Sequence, residues 1–272
     1  MVLIVTSFGA TKNYPDPEMM RRTFAAFLGS LRRQTDQRFR LFISHHDRPD
    51  VPADDPWIRW CPVTCGDNLD AALVLKEIPH SAKEGTEKIP ACGDGKNTDM
   101  GRKTINSVYE AGRWAFEQRF PLDLEGFWML RMDSDDLLWS GMVDFLNGLD
   151  TRKVRAVYNR DCHMFDPRLH ELAVHNYPYS TTCNALWYEM DADGTFRPDW
   201  FYHADDHTRF MRRIREDGIP FIERDDTLCI VTNSGNHISN RPEIDKEKNV
   251  RKIAITPDLA VRYGLDAYLN RA

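Results

Sequence analysis

The stretch Gly126-Phe127-Trp128-Met129-Leu130-Arg131-Met132, which runs directly into Asp133-Ser134-Asp135-Asp136, is the segment that decides the fold. A mostly apolar run of this length predicts a strand that is buried on both faces. The carboxylates that follow repel one another and need a cation or a basic partner to share a cleft. A hard divalent ion with oxygen ligands meets that need. A local alternative is that Asp136 or Ser140 caps the helix that Met142 begins.

The first half of the chain alternates predicted strands and helices around this segment. Apolar runs predict strands at 2–8, 39–44, 57–63, 126–132 and 154–158. Helical spacing of apolar residues predicts helices at 17–33, 103–118 and 142–149. Such alternation indicates an α/β fold with a mostly parallel, Rossmann-like sheet flanked by helices. Ligands bind at the carboxyl ends of strands in such sheets, which directs attention to Thr6-Ser7-Phe8, Asp47 and the 133–136 cluster.

The second half of the chain gives weaker signals. Residues 186–190 and 195–196 predict a β-hairpin around an Asp/Gly turn, and a helix is expected at 205–217, ending at Gly218. Two strands are expected at 221–223 and 228–231. A charged connector is expected at about 240–252, followed by a last helix at 259–269. The segment 64–100 is a long loop with one short helix predicted at 69–77, and loops of this length are usually functional or disordered.

The composition is that of an ordinary globular protein, with 42% hydrophobic and 29% charged residues in a chain of 272. A formal net charge of -6 is unlike the basic excess of most duplex-binding proteins. No run reaches the roughly 18 apolar residues that a membrane span needs. The six cysteines form no CxxC pair, so we expect free thiols and a cytoplasmic location.

Two further clusters are candidates for chemistry. Asp205-Asp206 lies at the start of a predicted helix, where the helix dipole alone would also favour acids. His237 lies in the small-residue loop 234–239, and a lone histidine of this kind is more often a surface or hydrogen-bonded residue than a metal ligand. The acid cluster does not fit an EF-hand, since the required Gly and Glu are missing. The Gly/Lys segments at 95–104 do not have the residue order of a P-loop.

The order of these motifs resembles that of the GT-A glycosyltransferases, in particular the family-two-like enzymes and the rhamnosyl transferase group. Asp133-Ser134-Asp135 is similar to the family's DxD motif, and Asp205-Asp206 stands where these enzymes carry a Glu-Asp pair. His237 resembles the C-terminal histidine that completes many of their metal sites. The segment 2–8 matches the first nucleotide-binding strand, and Asp47 matches the acid after the second strand. The resemblance covers about residues 2–239.

The resemblance implies a GT-A catalytic domain at 1–240, with a donor half to about 150, an acceptor half beyond it, and a C-terminal connector and helix at 241–272. It implies a divalent metal, Mn²⁺ or Mg²⁺, that is held by Asp135, His237 and Asp133. Asp133 would bind the metal directly or through water, or would instead hold the donor. A nucleotide-sugar donor, UDP-, GDP- or dTDP-linked, would contact the following residues: Thr6, Ser7, Phe8, Asp47, Arg102, Lys103, Asp133 and Ser134.

Asp206, or alternatively Asp205, is the candidate general base for the acceptor hydroxyl. The implied reaction is a hexosyl or rhamnosyl transfer, inverting by single displacement. The acceptor stays open between a glycan, a lipid-linked sugar, a protein and a modified nucleobase. Three other interpretations are open: a nucleotidyltransferase, a metal phosphatase, and a catalytically silent module that binds nucleotide or sugar.

Overall fold

The structure, a computed structural model, describes residues 1–8, 15–45, 48, 50–51, 54–62, 96–159, 161–176, 183–191, 196–198, 202–204, 207–224, 228–234 and 250–269. Its strands are β1 Val2–Ser7, β2 Phe39–His45, β3 Ile58–Pro62, β4 Gly126–Arg131, β5 Leu137–Leu138, β6 Ala156–Asn159, β7 Asp161–Asp166, β8 Glu171–Asn176, β9 Asn184–Met190, β10 Phe196–Arg197, β11 Phe221–Arg224, β12 Cys229–Thr232 and β13 Val250–Ile253. Its helices are α1 Pro17–Arg32, α2 Lys96–Gln118, α3 Met142–Asn147, α4 His207–Glu216, α5 Pro257–Tyr263 and α6 Asp266–Leu269, with a 3-10 turn at Tyr202–Ala204.

The main sheet has the strand order β11-β6-β9-β4-β1-β2-β3, with β10 paired to β9. The pairs β3-β2, β2-β1, β1-β4 and β6-β11 are parallel, and β9 is antiparallel to both β4 and β6. Helices cover both faces of this sheet. The predicted α/β fold with a mostly parallel, helix-flanked sheet is therefore confirmed.

Alternate residues of the main strands enter two separate cores. Val2 and Ile4 of β1 pack with α1 and α3 in one core, while Leu3 and Val5 pack with α2 and α4 in the other. This alternation follows from the two-residue period of a strand. Asp16 starts α1 by accepting hydrogen bonds from two backbone amides of its first turn, each at 3.0 Å. Because these strands are buried on both faces, they are continuous apolar runs in the sequence.

A smaller sheet, in the order β13-β8-β7-β12-β5, lies beside the first. Leu138 of β5 and Cys229 of β12 join the core that contains α1. Their neighbours Leu137 and Ile230 join a third core with the C-terminal helices α5 and α6. The smaller sheet is thus packed between the main core and the C-terminal helices.

Several predicted elements differ from the structure. The strands β7 and β8 form an antiparallel hairpin that was not predicted, and β13 lies in the predicted connector and pairs with β8. The last helix is two helices, because Gly264 between them has φ 73, which ends α5 in a left-handed cap. Helix α2 starts at Lys96, before the predicted start at 103. The predicted helix at 69–77 is outside the described residues.

No helix in the described part of the chain is both long and apolar enough to cross a bilayer. Cys61, Cys183 and Cys229 are buried and form no disulfide bond, as expected for these three cysteines.

Candidate functional site

Asp133–Asp136 is a β-turn that connects the two sheets. The amide of Asp136 donates to the carbonyl of Asp133 at 3.2 Å, which closes the turn. Just before it, the amide of Met132 donates to the carbonyl of Val5 at 3.1 Å, and this bond fixes the turn to the end of β1. Just after it, Leu137 and Leu138 pair with β12. The acids therefore lie at the carboxyl edge of the main sheet, as the sequence predicted.

Asp136 has a structural role that differs from the predicted one. Its side chain is buried, and its Oδ1 accepts a hydrogen bond from the amide of Thr232 at 3.0 Å. The helix α3 begins instead at Gly141 as N-cap, with no side-chain hydrogen bond at that cap. The interpretation of Asp136 or Ser140 as a helix cap is therefore wrong. The Asp136 carboxylate connects the acid turn to β12 through its hydrogen bond with the Thr232 amide.

Asp133 and Asp135 are the acids of the turn that keep partial solvent exposure, while Ser134 between them is buried. Two carboxylates of this kind are the oxygen donors that Mg²⁺ and Mn²⁺ prefer, so they fit part of a divalent-metal site. Within the described residues, no group of three or more acidic, His or Cys side chains could hold a metal ion. Any third protein ligand would have to come from the rest of the chain, where the sequence predicts His237.

The end of β12 lies beside the acid turn. Leu137 pairs with Ile230 in antiparallel register, and the Thr232 amide donates to Asp136 Oδ1 at 3.0 Å, so the end of β12 contacts the acid turn. Asn233 and Ser234, which follow Thr232, are also buried there. His237 is three positions further along the sequence and is outside the described residues. The pairing therefore brings the end of β12, up to Ser234, to the acid turn.

The predicted donor-binding residues Thr6, Ser7 and Phe8 are at the end of β1. The Thr6 hydroxyl is buried and has no hydrogen-bond partner among the described residues. The Phe8 amide donates to the Ser44 carbonyl at 2.7 Å, and its ring packs edge-on against Phe24 with centroids 5.0 Å apart. Phe8 therefore presents its ring to the core. Asp47, predicted at the end of β2, is outside the described residues.

Helix α2 carries Arg102 and Lys103 near its first turns. Asn106, one turn later, donates through Nδ2 to the Ser44 hydroxyl at 2.9 Å and to the Cys61 carbonyl at 3.3 Å. These bonds fix this part of α2 to the carboxyl ends of β2 and β3. The side chains of Arg102 and Lys103 are outside what the structure describes.

A buried polar network holds the 3-10 turn that precedes Asp205 and Asp206. His203 is 1% exposed, and its Nε2 lies 3.0 Å from the Asn184 carbonyl, which fixes the proton on Nε2. Its Nδ1 lies 3.4 Å from the Tyr188 hydroxyl, and this hydroxyl also accepts the Tyr202 amide at 3.0 Å. Burial lowers the pKa of His203 to about 3, so the ring is neutral at physiological pH.

This network places the turn close to the end of β4. Asn184 pairs with Arg131, the last residue of β4, two positions before Asp133. Asp205 and Asp206 follow the turn directly in sequence and are themselves outside the described residues. The network thus brings the segment before both candidate bases to the strand that carries the acid turn.

Several residues in this region were not singled out from the sequence. His203 stands in an aromatic and acidic stretch that gives no sign of burial, and Asn106 lies in an ordinary helical pattern. Thr232 is the last residue of β12 and comes after three apolar residues. Only strand pairing reveals that Thr232 is next to the acids, and no local signal could have found it.

Comparison with family models and with curated proteins finds no match. Solved structures that match include an active-site mutant of LgtC, a glycosyltransferase, at 10% identity, over 96% of this chain and 82% of that chain, with a TM-score of 0.33. Similarity this low carries no argument here, and the function is inferred from the site.

Proposed function

We propose that this protein is a metal-dependent glycosyltransferase of the GT-A type that moves a sugar from a nucleoside-diphosphate-sugar donor to an acceptor hydroxyl. The observation that carries the proposal is the antiparallel pairing of β5 with β12. It puts the strand before His237 beside the acid turn, in which Asp133 and Asp135 are the acids that keep partial exposure. The His203 network supports the same conclusion from the other side, since it brings the segment before Asp205 to the end of β4.

The ligands assigned to the metal are Asp135 and His237, with Asp133 either a third ligand or a contact to the donor. A bound divalent cation supplies Lewis-acid stabilisation of the negative charge on the departing diphosphate. Asp136 is not a ligand in this proposal, because its carboxylate is bonded to the Thr232 amide. Arg102 and Lys103 on α2, or Arg241, would add charge-assisted contacts to the phosphates.

The transfer itself needs a base on the acceptor side. The acceptor oxygen forms a bond to the anomeric carbon while the bond from that carbon to the diphosphate oxygen breaks. The leaving nucleoside diphosphate keeps the electron pair, and the acceptor proton passes to Asp206, with Asp205 as the alternative. A positioned base of this kind contributes roughly 10²–10⁴-fold. A single base opposite the leaving group gives inversion at the anomeric carbon.

The donor remains a UDP-, GDP- or dTDP-sugar in this proposal, and the acceptor any of the four classes considered above. Thermal-shift measurements with each nucleotide-sugar, with and without Mn²⁺, identify the donor. We expect one nucleotide-sugar to raise the melting temperature only when Mn²⁺ is present. Absence of any Mn²⁺-dependent stabilisation by all three would contradict the proposal.

Substitutions then assign the roles. Asp135→Asn should reduce Mn²⁺-dependent release of nucleotide from the donor by about 10²–10³-fold, the usual effect of removing one charge-stabilising group. Asp206→Asn should keep donor and metal binding but lose transfer. The control is Asp144→Asn, which removes the same charge at an exposed position of α3 and should behave as the unsubstituted protein. Full activity of Asp135→Asn would remove the metal assignment.

A further inference from the structure

The pairing of β12 with β5 stops before the end of β12. Backbone pairing between these strands reaches Ile230, which lies opposite Leu137. On its other side, β12 pairs with β7 as far as Thr232. In the described part of the chain, the last two residues of β12 are therefore paired with β7 alone. The acid turn lies on the side where the pairing with β5 has ended.

The amide of Thr232 nevertheless has an acceptor on the side of the acid turn. Successive amides of a strand point to opposite neighbours, and the next amide, that of Asn233, donates to the Phe165 carbonyl of β7 at 2.7 Å. The Thr232 amide therefore points away from β7, and it donates to Asp136 Oδ1 at 3.0 Å. The Asp136 carboxylate thus takes the place of a backbone acceptor beyond the end of β5.

Both partners of this hydrogen bond are buried. Asp136 is 1% exposed and Thr232 is 0% exposed. A bond to a carboxylate is stronger than one between neutral groups, and neither partner has water to replace the other. Breaking the bond would leave a buried amide unsatisfied. The bond is therefore a firm restraint between the acid turn and the end of β12.

This restraint lies between the two segments that carry the proposed metal ligands. Asp133 and Asp135 belong to the same turn as Asp136. His237 follows Thr232 by five positions in the sequence, and a chain of that length spans at most about 18 Å. An anchor at Thr232 limits the distance between the histidine and the acids. It therefore lowers the conformational entropy that is lost when both segments bind one metal ion.

We propose that Asp136 is a positioning residue of the metal site: through the Thr232 amide, it keeps the segment that carries His237 next to the acid turn. Loss of a partner that orients metal ligands typically costs 10–100-fold in metal affinity. The inference rests on the proposed function, since it takes the acid turn and His237 as the sources of the ligands. It gives Asp136 a role in metal binding without contact with the metal.

The test measures the Mn²⁺ dissociation constant of the full chain without substrate, by electron paramagnetic resonance of the free ion. Asp136→Ala removes the acceptor of the Thr232 amide, and we expect the dissociation constant to rise about tenfold or more. Asp136→Asn removes the charge but keeps a side-chain oxygen that can accept the amide. Its dissociation constant should stay close to that of the unsubstituted protein.

The matched control is at the other end of β12. Asn159 is fully buried, and its Oδ1 accepts the amide of Leu228, just before β12, at 3.2 Å. Asn159→Ala, like Asp136→Ala, leaves a buried amide without its acceptor, so both variants should have a lower melting temperature. Asn159→Ala should nevertheless leave the Mn²⁺ affinity unchanged, because it does not free the end of β12 that leads to His237.

A double-substitution cycle tests whether Asp136 acts through His237. His237→Ala should weaken Mn²⁺ binding by itself. In the His237→Ala protein, Asp136→Ala should cause little further loss of affinity, because there is no histidine left to position. Losses that simply add would overturn the inference, since Asp136 would then affect the metal independently of His237.

The outcomes separate this inference from the proposed function. Mn²⁺ binding that Asp135→Asn and His237→Ala weaken and Asp136→Ala leaves intact would overturn the inference alone. Equal weakening by Asp136→Ala and Asp136→Asn would also overturn it, because the charge and not the hydrogen bond would then matter. The same holds if Asn159→Ala weakens binding as much as Asp136→Ala does. If the unsubstituted protein binds no Mn²⁺, both the proposed function and this inference fail.

Discussion

The two sheets of this protein contribute to the acid turn in different ways. The main sheet is covered by helices on both faces. Its parallel strands end at one edge, where Thr6 and Ser7 at the end of β1 lie beside the end of β4, which Asp133 follows. The smaller sheet gathers strands from distant parts of the chain, with β5 near residue 137, β12 near 230 and β13 near 250. The main sheet provides the edge that carries the acid turn. The smaller sheet contacts this turn through β12.

The two sheets nevertheless share a core, since Leu138 and Cys229 of the smaller sheet pack with strands of the main one. A protein built in this way should unfold as one unit. The two sheets then differ in which parts of the chain form them, and neither is expected to be stable without the other. Three measurements test this view.

The largest expected effect comes from matched core truncations. Phe165→Ala in the smaller sheet and Phe127→Ala in the main sheet each remove a fully buried ring. Each should lower the free energy of unfolding by about 3–5 kcal/mol. Urea unfolding followed by fluorescence and by circular dichroism should give one coincident transition for both variants. An early separate transition in Phe165→Ala would show that the smaller sheet unfolds alone.

A smaller effect is expected where the sheets meet. Asp136→Ala leaves the buried amide of Thr232 without its acceptor, so we expect a loss of about 1–3 kcal/mol in the free energy of unfolding. Asp133→Ala removes a partly exposed carboxylate of the same turn and should change stability by no more than about 0.5 kcal/mol. Chemical denaturation of both variants measures the difference. Equal losses would mean that Asp136 does not fasten β12 to the turn.

The smallest effect concerns pH and the buried histidines. Burial lowers the pKa of His203 to about 3, whereas an unfolded chain titrates near ~6.5. Protons therefore bind the unfolded chain first as pH falls. The free energy of unfolding should decrease by up to about 1.4 kcal/mol per pH unit below about pH 6.

The control for this measurement is in the smaller sheet. Burial and the charge of Arg262 also lower the pKa of His163, but this side chain is only partly buried. Urea titrations between pH 7 and 5 should show that His203→Gln flattens the pH dependence more than His163→Gln does. The reverse order would place the main pH-sensitive group in the smaller sheet.

The strands of the main sheet were easier to predict from the sequence than those of the smaller sheet. Strands of the main sheet are apolar on both faces, and this local property predicted β1, β2 and β4 to within a residue or two at each end. The hairpin of β7 and β8 contains His163 and ends in charged or polar residues, so its sequence resembles that of a loop. Its strands are stabilised by pairing with β12 and β13, which are distant in sequence.

The part of the site that lies at the ends of strands could be predicted from the sequence. The acid turn could be found because it follows a strongly apolar strand, and its position at the carboxyl edge follows from the parallel sheet. The structural role of Asp136 could not be found, because it depends on which acid meets the Thr232 amide. The contact of Tyr268 with Phe165 depends on how α6 packs, and the helical pattern of 259–269 predicts burial but not the neighbour.

The connection between the two sheets also has a fixed length. Residues 132–136 join β4, whose register is set by β1, to β5, whose register is set by β12. One inserted residue would turn Leu137 toward the core that now holds Leu138, because side chains alternate along a strand. Variant libraries for this protein should therefore change the residue types at Asp133, Ser134 and Asp135 while keeping the number of residues between the strands constant.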